Sequence, residues 1–419
     1  MNRREFLFTS GVLTLRPLLR TVWAETSLGK IVNVEAGGLW VRSLPDGQPK
    51  QLISGSHIHL PRFSPSGEWI AYRDGETVNV IRADGSMHTQ LSAGAGAWLP
   101  VDDVLAVPTG KGLALFTAGR WNAAKPIEAV QELPAFSPDG TQLVYPDSVE
   151  KGQGPGGESM REGRLCRMIL THGGRGGHEP DVLASKYLTG FLPYAWTRDG
   201  KSIIYWEDPD FSASALADGL KLFRIGALGG SPQELGVMVL VSNDMLALSP
   251  LGNKLVVSAG LGRMTWSGKR IAVIDLETAA VRYLTDKTTS AISPSWSPDG
   301  ERIVYAAAPN AVGISGGDEA KACLQKRRVW IADASGINWP KQITNDDHYR
   351  DEEPMWSRDG THILFCRMDR GDAGTLWLMR RGGENPIQVS GPFSVEQDWF
   401  GCYGHVDWRQ TFDWFRNPS

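Results

Sequence analysis

Imidazole, carboxylate and phenol side chains gather in a few short segments of this 419-residue chain. His57 and His59 flank a single isoleucine, and Tyr187 and Tyr194 lead up to Trp196. Asp346, Asp347, His348, Asp351 and Glu352 share the run 346–353, and Tyr403 and His405 stand near the C-terminus. Imidazole with carboxylate oxygen is a donor set for a divalent transition metal, so His57, His59, His348 and His405 are candidate metal ligands. The same groups beside tyrosines make a polar rim for a peptide or a sugar. Histidines in solvated loops need neither role. No complete nucleophile–base–orienter set accompanies them, so no catalytic residue is assigned and no cofactor is predicted beyond that metal.

Two motifs fail on context. Gly313-Ile-Ser-Gly-Gly317 spells the G-x-S-x-G nucleophile elbow. An elbow needs a strand leading in and a helix leading out, and this stretch reads as a glycine-rich loop with neither. Gly152-Gln-Gly-Pro-Gly-Gly157 spells G-x-G-x-x-G, but its proline and the lack of a βαβ unit argue against a nucleotide site. A net charge of −4 with no basic stripe argues against nucleic acid. The four cysteines form no C-x-x-C pair, which leaves zinc ribbons unsupported.

The elements that must position these residues come from a repeat. Phe63-Ser-Pro-Ser-Gly67, Phe136-Ser-Pro-Asp-Gly140, Trp196-Thr-Arg-Asp-Gly200, Leu248-Ser-Pro-Leu-Gly252, Trp296-Ser-Pro-Asp-Gly300 and Trp356-Ser-Arg-Asp-Gly360 are each followed by a short apolar run such as Ile303-Val-Tyr305. An aromatic or leucine ends one strand, Ser-Pro-Asp suits a type I turn, and glycine supplies the positive φ that reverses the chain. β-Branched and aromatic residues then build the returning strand. Degenerate copies begin at Trp98 and at Val406-Asp-Trp408. The anchors recur at a mean of about 49 residues, close to a four-stranded propeller blade of ~40–50. The fold class is therefore all-β, a single propeller of four-stranded blades. Eight blades are counted, or seven if the Trp98 copy is not separate. The strands of 31–53 lack a first member that the 406–408 segment would supply, so both chain ends share one blade. Links between second and third strands are long at 146–164, 207–219 and 309–327. Together with the loops that carry the histidines they fall on one face, which is expected to be the working surface, with neutral loop growth as the competing reading.

The repeat resembles the WD40-like repeats of TolB-type β-propellers over nearly all of residues 28–415. That resemblance implies the fold strongly and the function weakly, because the fold hosts binding proteins, lyases and peptidase-gating domains. The N-terminal Asn2-Arg3-Arg4-Glu5-Phe6-Leu7, the apolar stretch 8–19 and the small residue Ala24 resemble a twin-arginine export signal spanning 1–24. It implies a periplasmic protein exported in the folded state. No stretch of the mature chain is apolar enough to span a membrane. Oligogalacturonate lyase, a propeller with a metal site of His and Gln, is a precedent for a metal-assisted lyase or hydrolase acting on a glycan, although its ligand arrangement has no clear copy here. A prolyl-oligopeptidase-like enzyme would need a hydrolase domain for which the chain has no room. The preferred expectation is a non-catalytic binding or scaffold module that grips a periplasmic protein, peptide or glycan ligand. In an oxidising compartment Cys366–Cys402 is the first candidate disulfide and Cys323–Cys366 the second, with free thiols as the competing expectation.

Overall fold

The computed structural model describes residues 27–123, 125–154, 159–170, 179–394 and 403–416. The export signal and Cys402 lie outside the described residues.

The repeated turn works as its residue types dictate. Thr197 Oγ1 donates to Asp199 Oδ1 at 2.7 Å and accepts from the Ser202 amide at 3.0 Å, and Gly200 has φ +68°. Ser137, Ser297 and Ser357 make the same pair of bonds in their own repeats. A hydroxyl at the turn's first position thus satisfies the amide of the returning strand, and the glycine accepts the left-handed conformation without a Cβ penalty.

Each repeat opens a four-strand antiparallel meander. Four-stranded sheets are formed by 58–93, 135–187 and 289–342, the 350–394 sheet gains a fifth strand at Phe393–Ser394, and the sheet at 97–117 has three strands. An eight-stranded sheet joins two such meanders, 189–239 and 246–283, through the single bridge Val239↔Ala259. The remaining sheet pairs three N-terminal strands, Lys30–Glu35, Gly38–Ser43 and Lys50–Ser54, with the C-terminal strand Phe412–Phe415. That last strand lies antiparallel to the first, with Lys30 opposite Phe415 and Asn33 opposite Phe412. The two chain ends do share a sheet, but the residues expected to close it do not. Trp408–Gln410 forms a 3-10 turn instead, because Asp407 caps it by accepting from the Arg409 amide. The Trp98 copy begins the three-stranded sheet.

The core lies between successive sheets. Val256, Ile271 and Val273 pack on Ile303, Tyr305 and Trp296, and Val304 and Val329 pack on Trp356, Ile363 and Phe365. Leu364, Leu376 and Leu378 close on Ile31, Phe412 and Trp414, so the 350–394 sheet packs on the sheet that holds both chain ends. Each such side chain contributes about 1.5–3 kcal/mol when fully buried. Anchor indoles also bond across the seams. Trp98 Nε1 donates to the Arg62 carbonyl, Trp196 Nε1 to Ala135 and Trp296 Nε1 to Ala247, at 2.9–3.1 Å.

The long links are built, not open loops. The 146–164 link is a two-stranded ribbon formed by Gln142–Gln153 and Ser159–Ile169. The 207–219 link holds helix α1, Ala213–Asp218, and the 309–327 link holds helix α2, Gly317–Leu324. The expectation that neither strand nor helix flanks the G-x-S-x-G stretch is thereby corrected, since Arg302–Pro309 precedes it and α2 begins at its last glycine. Ser315 itself sits in an exposed loop. Cys166, Cys323 and Cys366 carry free thiols, so neither expected bridge of Cys366 is made. Burial in the seam beside Ile31 and Trp408 keeps the Cys366 thiol neutral.

Candidate functional site

The innermost strands of several sheets are bulged three residues before their anchors. Leu60, Ser293 and Glu353 adopt φ of +52°, +53° and +43° at these points, and the ladder register shifts there. Such a bulge re-aims a side chain out of the sheet. Across these strands lies the segment 403–411, which leads into the terminal strand.

That segment is held at every turn. The Tyr403 carbonyl accepts from the Thr265 amide at 2.9 Å, and the Gly404 carbonyl from Arg350 at 2.8 Å and Arg327 at 3.4 Å. Trp408 Nε1 donates to Glu352 Oε2 at 3.0 Å. Arg409 reaches the Asn243 carbonyl, and its own carbonyl accepts from Arg62 at 2.8 Å. Gly404 has φ +73°, and a Cβ there would lie 2.9 Å from Leu324 and 3.0 Å from Thr265, so only glycine fits.

At the centre, His405 Nε2 meets Asp244 Oδ2 at 2.7 Å, both side chains more than nine-tenths buried. Ser242 and Ser293 also donate to Asp244. Burial alone would raise the Asp244 carboxyl, but the His405 charge and these bonds hold it well below the usual carboxylate range. Burial would lower His405, but Asp244 pushes it up to about 9. Glu353 is buried next to them with its Oε2 unpartnered. Burial first, then the Asp244 charge, raise it to about 8. At neutral pH the cluster is therefore an ion pair beside a protonated carboxylic acid.

A second buried cluster lies alongside. Glu352 Oε1 accepts from both Arg327 and Arg350, so two guanidiniums share one carboxylate. Burial pushes the Glu352 carboxyl up, and Arg350, Arg327 and Trp408 outweigh it and hold it ionised. Asp351, on the other side of the strand, is clasped by Arg367 through two bonds of 2.7 and 3.1 Å.

The structure thus splits the expected site residues. His405, Glu352 and Asp351 are buried partners in ion pairs, and the run 346–353 is only half a loop because Arg350–Trp356 is a strand. Asp346 pairs with the exposed His348 at 3.0 Å, and Asp347 with Arg328 at 2.8 Å. Tyr194 was expected on an incoming loop but lies within the strand Thr189–Trp196, where its hydroxyl donates to the Leu246 carbonyl at 2.8 Å. Tyr187 is not on an incoming loop but at the exposed end of the outer strand Asp181–Tyr187. His57 and His59 line a cleft of about 910 Å³ with Glu35, Glu76 and Asp407, and His59 Nδ1 lies 2.9 Å from the His57 carbonyl. Among the described residues no three His, Cys, Asp or Glu side chains are placed to share a metal ion. The four candidate histidines are divided between this cleft, the Asp346 pair and the Asp244 pair. Asp244, Ser293 and Glu353 were not singled out in the sequence. The signal was positional: Ser293 and Glu353 stand three residues before a repeat anchor, and Asp244 four.

No family model matches the chain. A 37-residue stretch is 49% identical to the Tol-Pal system protein TolB of Roseobacter denitrificans, covering 9% of this chain and 8% of that protein. Porphyromonas gingivalis dipeptidyl peptidase 4 superposes with a TM-score of 0.56 at 11% identity, over 87% of this chain and 59% of that one. The dihydro-heme d1 dehydrogenase NirN superposes with 0.54 at 15%, over 88% and 74%. The chain is all-β and shares its overall fold with these two structures, while its likeness to TolB rests on the short matched stretch. The propeller spans little more than half of the peptidase and a small part of the curated TolB. Among the described residues no helix is long and apolar enough to cross a membrane.

Proposed function

We propose that this TolB-like propeller is an exported, periplasmic binding or scaffold module, working without catalysis through the face that carries its insertions. In this reading the ring has eight blades: the 189–239 and 246–283 meanders count separately, the 97–117 sheet counts as one blade, and the shared terminal sheet closes the circle. The observation that carries the reading is the 403–411 segment. It lies across the inner strands and ties its imidazole, indole and carbonyls into buried ion-pair clusters, so those groups serve to hold the strap. The ribbon, α1 and α2 all occupy links between second and third strands, and Leu324 of α2 packs with Tyr403 of the strap, so a partner would meet the strap beside these insertions.

The test is site-specific photo-crosslinking in a periplasmic fraction, with the probe residue at Glu150 on the ribbon, at Asp318 on α2, or at Glu68 in a turn on the opposite face. Adducts with one common protein from Glu150 and Asp318, and none from Glu68, are expected. Equal labelling from all three sites removes the assignment. A stoichiometric divalent metal in the purified mature protein would replace this reading with the metal-assisted enzyme.

A further inference from the structure

The two guanidiniums on one carboxylate leave a buried excess of positive charge, and a cleft opens directly over it. Arg350, 2% exposed, lines this cleft of about 690 Å³ together with the buried Arg328. Its rim carries Lys321 and Lys326, from α2 and the residues after it, and Arg370 from the 369–372 turn. None of these three exposed cations forms an ion pair among the described residues, and only Asp347 and Asp372 oppose them in the lining. Positive charge on a low-dielectric floor beneath a cationic rim focuses the field outward and raises the local concentration of anions.

The cleft continues past the Arg328–Asp347 pair into a second lobe of about 380 Å³, which shares Lys326 and is backed by Trp330. Two polar atoms along this path are buried without a hydrogen-bond partner: Gln325 Oε1, an acceptor, and Trp330 Nε1, a donor. Buried polar groups are nearly always paired in a functioning complex, so orphans lining a cleft point to what fills it. A peptide unit offers one N–H and one C=O, which answers one orphan acceptor and one orphan donor. An elongated, cationic trough with that pair of unmet groups fits an extended acidic chain.

We propose that the cleft between α2 and the 346–350 loop binds an extended acidic peptide segment of a protein partner, its carboxylates on Lys321, Lys326 and Arg370 and its backbone on Gln325 and Trp330. This rests on the binding-module reading and names the chemistry of the partner.

The full mature chain is titrated by fluorescence anisotropy with a labelled peptide of alternating Glu and Ala. Binding at low salt is expected, lost at about 0.5 M salt, where screening leaves only a few ångströms of range. The corresponding Gln–Ala peptide should bind at least about tenfold more weakly, as should the acidic peptide to K321E/K326E/R370E, while K201E on the opposite face should bind like the parent. All three substituted residues are exposed, and thermal melting checks that the fold persists; K326E alone serves if the triple variant melts early. No binding at low salt, an unchanged affinity in the rim variants, or equal loss in K201E overturns the proposal. Displacement of the peptide by inorganic phosphate at equal concentration overturns it in favour of a free-anion site, and preferential binding of sulfated dextran overturns it in favour of a glycan. If the crosslinked partner persists while the peptide does not bind, the peptide site alone is refuted. If neither is found, the binding-module reading falls too.

Discussion

Glu353 and His405 differ in sign but pull stability in the same direction. The folded state holds Glu353 protonated up to about pH 8 against an ordinary 4.5, so it binds a proton that the unfolded chain has released, and stability falls as pH rises between those values. His405, at about 9 against 6.5, contributes stability that is complete below pH 6.5 and is lost as pH rises through 9. A melting series from pH 4 to 10 should therefore decline in two overlapping steps. E353Q should remove the first and melt higher than the parent at pH 8 but not at pH 4; H405A should remove the second. A flat parental profile over that range would refute both assignments. D244A leaves the His405 imidazolium buried without its partner, and losing one side of a buried pair costs about 3–5 kcal/mol. The D244A/H405A double variant should recover part of that loss in urea denaturation, because no uncompensated charge remains. Asp351 and Glu352 were visible in the sequence as acids but not as buried ones. Their burial depends on Arg367 and on Arg327 and Arg350, and no local pattern announces pairings with Arg327, 25 residues upstream. Glu353 was overlooked for a related reason, since the bulge that separates it from its neighbours has no signature in residue type.

The hairpin is the element the sequence describes best. Its hydroxyl, proline, aspartate and glycine each do local work, so the turn is readable without knowing what packs above it. The indole that ends the strand is different, because its partner belongs to another sheet. Trp296 Nε1 bonds to the Ala247 carbonyl, whereas Trp356 Nε1 is buried without a partner. W296F and W356F remove similar volume from similar seams. W296F should cost about 1 kcal/mol more, the net worth of one hydrogen bond, as read from the difference in urea midpoints. Equal losses would mean that the indole bond is not a staple between sheets. The terminal strand gives a sharper test. Removing 411–419 deletes Phe412–Phe415 yet keeps His405 and Trp408, and it leaves the Lys30–Glu35 strand as an open edge. Such an edge pairs with other chains. The truncated protein should sediment as higher-order species; a monomer that melts with the parent would show that the strand is dispensable. The sequence pointed to a shared terminal sheet from the three N-terminal strands that lacked a partner. It misplaced the partner by a few residues, since Asp407 is a good cap for a helical turn and turns the tryptophan away from the ladder.

For the whole molecule the repeat made the architecture legible, because a period of anchors needs no long-range information. What the long links hold was less so. The insertions were located by length alone, and their conversion into a ribbon and two short helices depends on packing that length does not encode. Export belongs to this scale. Arg3 and Arg4 carry the two charges of the expected signal. Replacing both by lysine should leave the protein in the cytoplasm, as fractionation and immunoblotting would show; an unchanged periplasmic yield would end the assignment. The seam between the first and last strands has a mechanical consequence as well. Lys30 faces Phe415, so the chain leaves both strands at the same end of the ladder. Tension applied between the two termini would load its hydrogen bonds one after another, like a zip, and not all together in shear. The Trp414 indole bonded to the Leu28 carbonyl sits at that same end and would bear the first load. A molecule held by its ends would yield first at the place where its sequence begins and finishes.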